Sequence, residues 1–191
     1  MIELLRWQFR VAWSLADEVH LPGLSDELCH WCPTPLTLTV RPDASGRWRP
    51  DWPEPEPDPP PPASVGWLTW HLIWWWTEVS AVVAGEQAAG RAAVDWPGSA
   101  AATVERLRAL AVGWNGLLDS DPDLDAPVAY PWSDPRPARY TLAWVNAELM
   151  KNVSEIGAMR HVWAASRDQG QRARRRAESG GPSAPSAGPA R

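Results

Sequence analysis

The chain has 191 residues, 45% of them apolar and 21% charged, which fits one ordinary soluble domain with a sizeable core rather than two. Its net charge of −5 is uneven: from residue 167 onward six Arg face only Asp168 and Glu178, a net of +4 that leaves −9 on the rest. An acidic body excludes specific nucleic-acid binding there, and no run reaches the ~18 uninterrupted apolar residues of a membrane span, so no membrane partner is expected.

The opening MIELLRWQFRVAWSLADEVH carries an early acid, no basic leader region and no small-residue cleavage site, and reads as the first helix of a cytoplasmic protein. Leu5, Phe9, Ala12, Ala16 and Val19 share one face of a helix from residue 2 to about 19, which Pro22-Gly23 ends. Ser25 and Asp26 can cap a short helical turn over 25–30. The CxxC formed by Cys29 and Cys32 lacks the strand-before, helix-after context of a redox pair, and a zinc site would need two more ligands. Free thiols at a helix end are the default reading. LTLTVRP then alternates briefly like a strand, ASGRW reads as a turn, and WPEPEPDPPPPAS is an extended Pro-rich connector. Such a connector suits a crossover between helices that are not antiparallel neighbours, or a cover over the mouth of a site.

A second, Trp-laden helix is expected from 64 to about 85, a third over 99–118, a Pro- and Asp-rich loop over 119–137, and a fourth helix over 138–167. The fold class is therefore all-α: a four-helix bundle of residues 1–167 with a Pro-rich crossover connector between helices one and two. Residues 168–191, basic and then rich in Gly, Pro, Ser and Ala, are expected to be a disordered tail, solvated rather than engaged through Arg172, Arg174, Arg175 and Arg176. Trp67, Trp70, Trp74, Trp75 and Trp76 exceed what one core stripe can use. They are expected to meet the connector or a partner subunit rather than a ligand-binding aromatic box, and a homodimer is expected on that ground.

In the second helix Val65, Leu68, Leu72, Trp75, Val79 and Val82 form the apolar stripe, with His71 one step off it. In the fourth the stripe runs Leu142, Val145, Leu149, Asn152, Ile156, Met159 and Trp163, so an amide stands where the pattern reserves an apolar side chain. Glu148 and Glu155 lie within about 60° of Asn152, and Lys151 points further away. A buried amide needs partners, and His71, Glu78, Glu148 and Glu155 are the candidates. Each has a plain structural reading beside the functional one: His71 as a hydrogen-bonded core imidazole, Asn152 as a setter of helix register, Lys151 and Glu155 as a solvent-side i,i+4 pair. His20, His30 and His161 fall at helix ends or on outward positions. There is no P-loop, GxGxxG or GxSxG.

The segments GWLTWHLIWWW (66–76) and ELMKNVSEIG (148–157), with the opening LLRWQFRVAWSLADEVHLPGLSDELCHWCP and the connector GRWRPDWPEPEPDP, resemble the DinB/YfiT-like superfamily of four-helix bundles, in its Trp-rich actinobacterial branch. The resemblance covers about residues 2–166. It implies a divalent-metal site of three His, one on helix two and an HxxxH pair on helix four ahead of a Gly. It also implies transfer reactions that use low-molecular-weight thiols such as mycothiol or bacillithiol, while other members are damage-inducible or stress proteins. His71 matches the helix-two ligand. Counting back from Gly157, the helix-four positions hold Lys151, the only lysine in the chain, and Glu155.

A protonated lysine has no lone pair to give a metal. A site for Zn, Ni, Mn or Fe would have to be built from His71 and Glu155, completed by Glu148, Asn152 or Glu78. The alternative is a metal-free network in which Glu155 pairs with His71. Two functional readings follow from the resemblance. In one, His71 and Glu155 are catalytic in a thiol-dependent transfer or detoxification of a small-molecule substrate, with or without metal. In the other, the bundle does no chemistry and binds a small molecule or a protein partner.

Overall fold

The computed structural model describes residues 1–179. Helix α1 (Ile2–Ser14) buries Leu5, Phe9 and Ala12. Its expected continuation to residue 19 is present but wound differently: a π-helical turn, Leu15–His20, and a 3-10 turn, Leu21–Gly23, follow it. The Arg160 guanidinium donates to the Val19 carbonyl at 2.6 Å, satisfying an acceptor at that helix end. Helix α2 (Asp26–His30) begins at Ser25, whose side chain accepts from the Leu28 amide. Cys29 is buried, and burial followed by the charge of Asp26 pushes its thiol up to about 12. Cys32 is exposed, and both thiols are free.

The expected strand and turn form a hairpin, β1 (Val40–Pro42) against β2 (Trp48–Pro50), in the register Val40 to Pro50 and Pro42 to Trp48. Helix α3 (Val65–Val83) starts at Ser64, which caps the Trp67 amide, and α4 (Ala100–Asp119) starts at Ser99, which caps Ala102. Between α4 and the last helix, a two-residue pair, β3 (Pro127–Val128) with β4 (Arg136–Pro137), lies inside the segment expected to be loop. Helix α5 (Ala138–Ser179) runs past residue 167 into the segment expected to be disordered, and the rest of that tail lies outside the described residues.

Helices α1, α3, α4 and α5 make the bundle, an all-α architecture as expected. Helices α1 and α3 each pack on both α4 and α5, so they sit on a diagonal and meet only in the middle, where Trp76 takes the edges of Phe9 and Trp13 at 5.9 and 5.8 Å. The connector is therefore the crossover that the diagonal requires. Helix α3 is buried almost all round: beyond its stripe, Gly66, Thr69, Trp70, Ile73, Trp76 and Glu78 are also inside. Close approach of α2 explains Gly66, where a Cβ would stand 2.8 Å from both the Cys29 carbonyl oxygen and Val40 Cγ2. No helix among the described residues is long and apolar enough to cross a membrane.

Candidate functional site

The polar groups of the bundle collect where α3 faces α5, and Asn152 is their fixed point. Its side chain is fully buried; Oδ1 accepts from Trp75 Nε1 at 2.8 Å, and Nδ2 faces Glu155 Oε2 at 3.3 Å and Glu148 Oε1 at 3.5 Å. The amide in the seam thus has partners on both sides, and two of the four candidates for that part are Glu148 and Glu155. Glu78 is buried elsewhere, accepting from the Gly90 amide at 2.9 Å.

His71 and Glu148 face each other, with Nε2 3.7 Å from Oε1. Lys151 reaches back along α5 to the same oxygen at 2.5 Å rather than forward to Glu155. Burial pushes the Glu148 carboxyl up, but the hydrogen-bonding and charge of His71 and Lys151 outweigh it and hold the group below its usual range. Glu148 is therefore an anion between two nitrogen donors. Tyr130, missed in the sequence, borders this cluster. Burial first, then the charges of Glu78 and Glu148, raises its phenol, which stays protonated.

His71 is clamped by aromatic rings. Trp67 stacks on it at 5.0 Å and 9°, and Trp74 meets it edge-on at 5.6 Å. The far side of Trp67 stacks on Trp52 of the connector at 6.0 Å, and the Arg91 guanidinium lies 4.1 Å over Trp52. The order Arg91, Trp52, Trp67, His71 is a continuous stack from the connector to the buried polar cluster. Trp67 Nε1 also donates to the Asp51 carbonyl at 2.8 Å. The expected contact of surplus Trp with the connector is thus made by Trp67, Trp70 and Trp74, all of which touch Trp52.

Under the connector lies a cavity of about 710 Å³, lined by connector prolines, Trp52, Trp67, Leu68 and Met159, with His71, Lys151, Asn152 and Glu155 at its polar end. That volume lies in the range of small-molecule sites. Of the residues named from the sequence, His71, Asn152 and Glu155 line it; Glu148 stands behind them, holding His71 and Lys151. The connector covers this cavity, one of the two roles expected for it, whereas Trp52 was not singled out, because contacts between segments far apart in the chain leave no periodic signal in either.

The donor set does not fit a divalent ion as it stands. Among the described residues no three His, Cys, Asp or Glu side chains group as ligands, and the Glu148 oxygen nearest His71 already holds the Lys151 ammonium. His71 Nδ1 is buried without a hydrogen-bond partner, turned away from the carboxylate that faces Nε2.

Residues 8–156 match the sequence profile of the DinB superfamily. No curated protein matches the chain.

Proposed function

The chain belongs to the DinB superfamily, and from that premise we propose that it is a small-molecule-binding member that works without a metal ion, its ligand held between the Pro-rich connector and α5. The observation that carries this reading is the cavity of about 710 Å³ whose polar end presents His71, Lys151, Asn152 and Glu155 while Glu148 is already neutralised by an internal ammonium. Lys151 occupies, as a fixed cation, the role that a metal would play beside such a carboxylate. The apolar walls supply affinity, and the few polar groups orient the ligand.

Elemental analysis of the untagged protein and a fluorescence screen of small amphipathic molecules test the reading together. The expected result is no stoichiometric metal, and ligands that change the Trp emission of wild type but not of Ala158→Trp, which fills the cavity from an exposed position on α5. Stoichiometric metal that disappears in His71→Ala would overturn it in favour of a metal enzyme.

A second reading has one observation behind it. A carboxylate facing an imidazole, as Glu148 faces His71 at 3.7 Å, stabilises the imidazolium formed when the ring accepts a proton. That arrangement suits a base that draws the proton from a low-molecular-weight thiol such as mycothiol; the thiolate would then form a bond from sulfur to an electrophilic small-molecule substrate, and the imidazolium would return the proton to the anion released or formed there. In this reading Glu148, rather than Glu155, assists His71. Turnover of a thiol with an electrophile that falls at least ~10-fold in Glu148→Gln would support it.

A further inference from the structure

Resting on the small-molecule reading above, we propose that the cavity selects an organic cation: an amine or quaternary ammonium group carried on an aromatic or aliphatic body. Four charged side chains line the cavity, namely Glu54, Glu56, Lys151 and Glu155. Two of them are already matched. Lys151 holds Glu148 at 2.5 Å, and Glu54 holds Arg91 at 3.0 Å. Glu56 and Glu155 have no cationic partner among the described residues; the polar neighbour of Glu155 is the Asn152 amide at 3.3 Å. The cavity therefore presents two uncompensated carboxylates and no uncompensated ammonium.

The walls add affinity without opposing charge. The indole faces of Trp52 and Trp67 are already taken up in the stack of Arg91, Trp52, Trp67 and His71, so these rings serve as apolar wall. Prolines of the connector and Met159 complete an apolar surface that rewards a ligand body but is indifferent to its charge. An anionic ligand would meet Glu56 and Glu155 with no free counter-charge, because Glu148 already engages Lys151. A neutral ligand would gain from the walls alone. A cation gains from walls and carboxylates together.

Three probes of matched length separate these cases: 4-phenylbutylamine, 4-phenylbutanol and 4-phenylbutyrate, titrated into the full chain by calorimetry, with Ala158→Trp as the blocked control. The amine is expected to bind tightest, by roughly fivefold or more over the alcohol, with the butyrate weakest. The amine's advantage is expected to shrink with added salt and to vanish in Glu56→Gln/Glu155→Gln, where amine and alcohol are expected to bind alike. Both replacements are close in shape and lie on exposed residues, so the fold is retained. Equal or tighter binding of the alcohol or butyrate would overturn the cation inference while leaving the small-molecule reading intact. An amine preference that persists in the double variant would overturn the assignment to these carboxylates. Binding of none of the probes, or equal binding by Ala158→Trp, would overturn both.

Discussion

At the scale of single residues, the site is governed by which polar group is left without a partner. Asn152→Leu keeps the volume of the seam but strips the Trp75 indole N–H of its acceptor, and should cost about 2–3 kcal/mol in urea unfolding. Adding Trp75→Phe removes the orphaned donor, so the double variant should recover part of that loss, apart from what the smaller ring gives up in packing. Glu148 makes a pH-dependent case. Its folded value lies below the ordinary 4.5, so its contribution to stability is full above that pH and is lost as pH falls through the folded value. Lys151→Met leaves burial opposed by His71 alone. The variant should be less stable by up to about 1 kcal/mol near pH 7, and the two urea curves should converge as the pH falls through the folded value of Glu148, below which the group is protonated in both. Asn152 and its two carboxylates were legible from the heptad arithmetic of one helix. The choice between Glu148 and Glu155 as the partner of His71 was not, because both flank Asn152 at similar angles and only the placement of α3 decides between them. Lys151 was misjudged as a partner of Glu155 for a related reason: its long stem swings back one turn to the anion that α3 helps to bury.

Among the elements, two glycines report how closely helices and turns approach. At Gly157 a Cβ would stand 2.5 Å from the His20 ring, which the π-helical turn lays across α5; at Gly66 it would stand 2.8 Å from a backbone carbonyl. A ring can rotate away, whereas a carbonyl moves only if α2 moves. Gly66→Ala should therefore lower stability by about 1–3 kcal/mol, and Gly157→Ala by less, since part of its clash is offset by the ~1 kcal/mol that Ala contributes to helix propensity. Thermal unfolding of both variants checks the order, and a Gly157→Ala protein less stable than Gly66→Ala would refute it. The His20 imidazole is pushed down by burial and then by Arg160 and His161, so it stays neutral where an ordinary histidine begins to charge. The helix boundaries were legible because Ser25, Ser64 and Ser99 cap them, and Pro22-Gly23 marks one end. The π-turn was not, since its winding answers to Arg160, 141 residues away from Val19. The β3 and β4 pair was hidden in a segment whose Pro and Asp content reads as loop.

For the whole molecule, the diagonal placement of α1 and α3 makes the connector more than a tether. It must cross the bundle, and the structure fixes it at its root and again at its middle. At the root, the Leu38 amide donates to the Pro62 carbonyl at 2.9 Å, and the Ser64 amide to the Leu38 carbonyl at 2.8 Å. At the middle, Trp52 lies among Trp67, Trp70 and Trp74 and beneath Arg91. The Pro-rich stretch between these two anchors forms one wall of the cavity, so opening of the connector removes that wall. Because Trp52 is partly exposed and the bundle core closes without it, the connector should open without global unfolding. Trp52→Ala removes the middle anchor, worth about 0.5–1.5 kcal/mol for each aromatic contact. Hydrogen exchange should then accelerate at the Leu38 and Ser64 amides, while amides around Phe9 and Trp76 keep their wild-type protection. Ligand affinity should fall in the same variant, because one wall of the cavity is no longer held in place. Uniform acceleration across the core would show instead that Trp52 supports the bundle itself, and the connector would then be a structural strap with no separate opening.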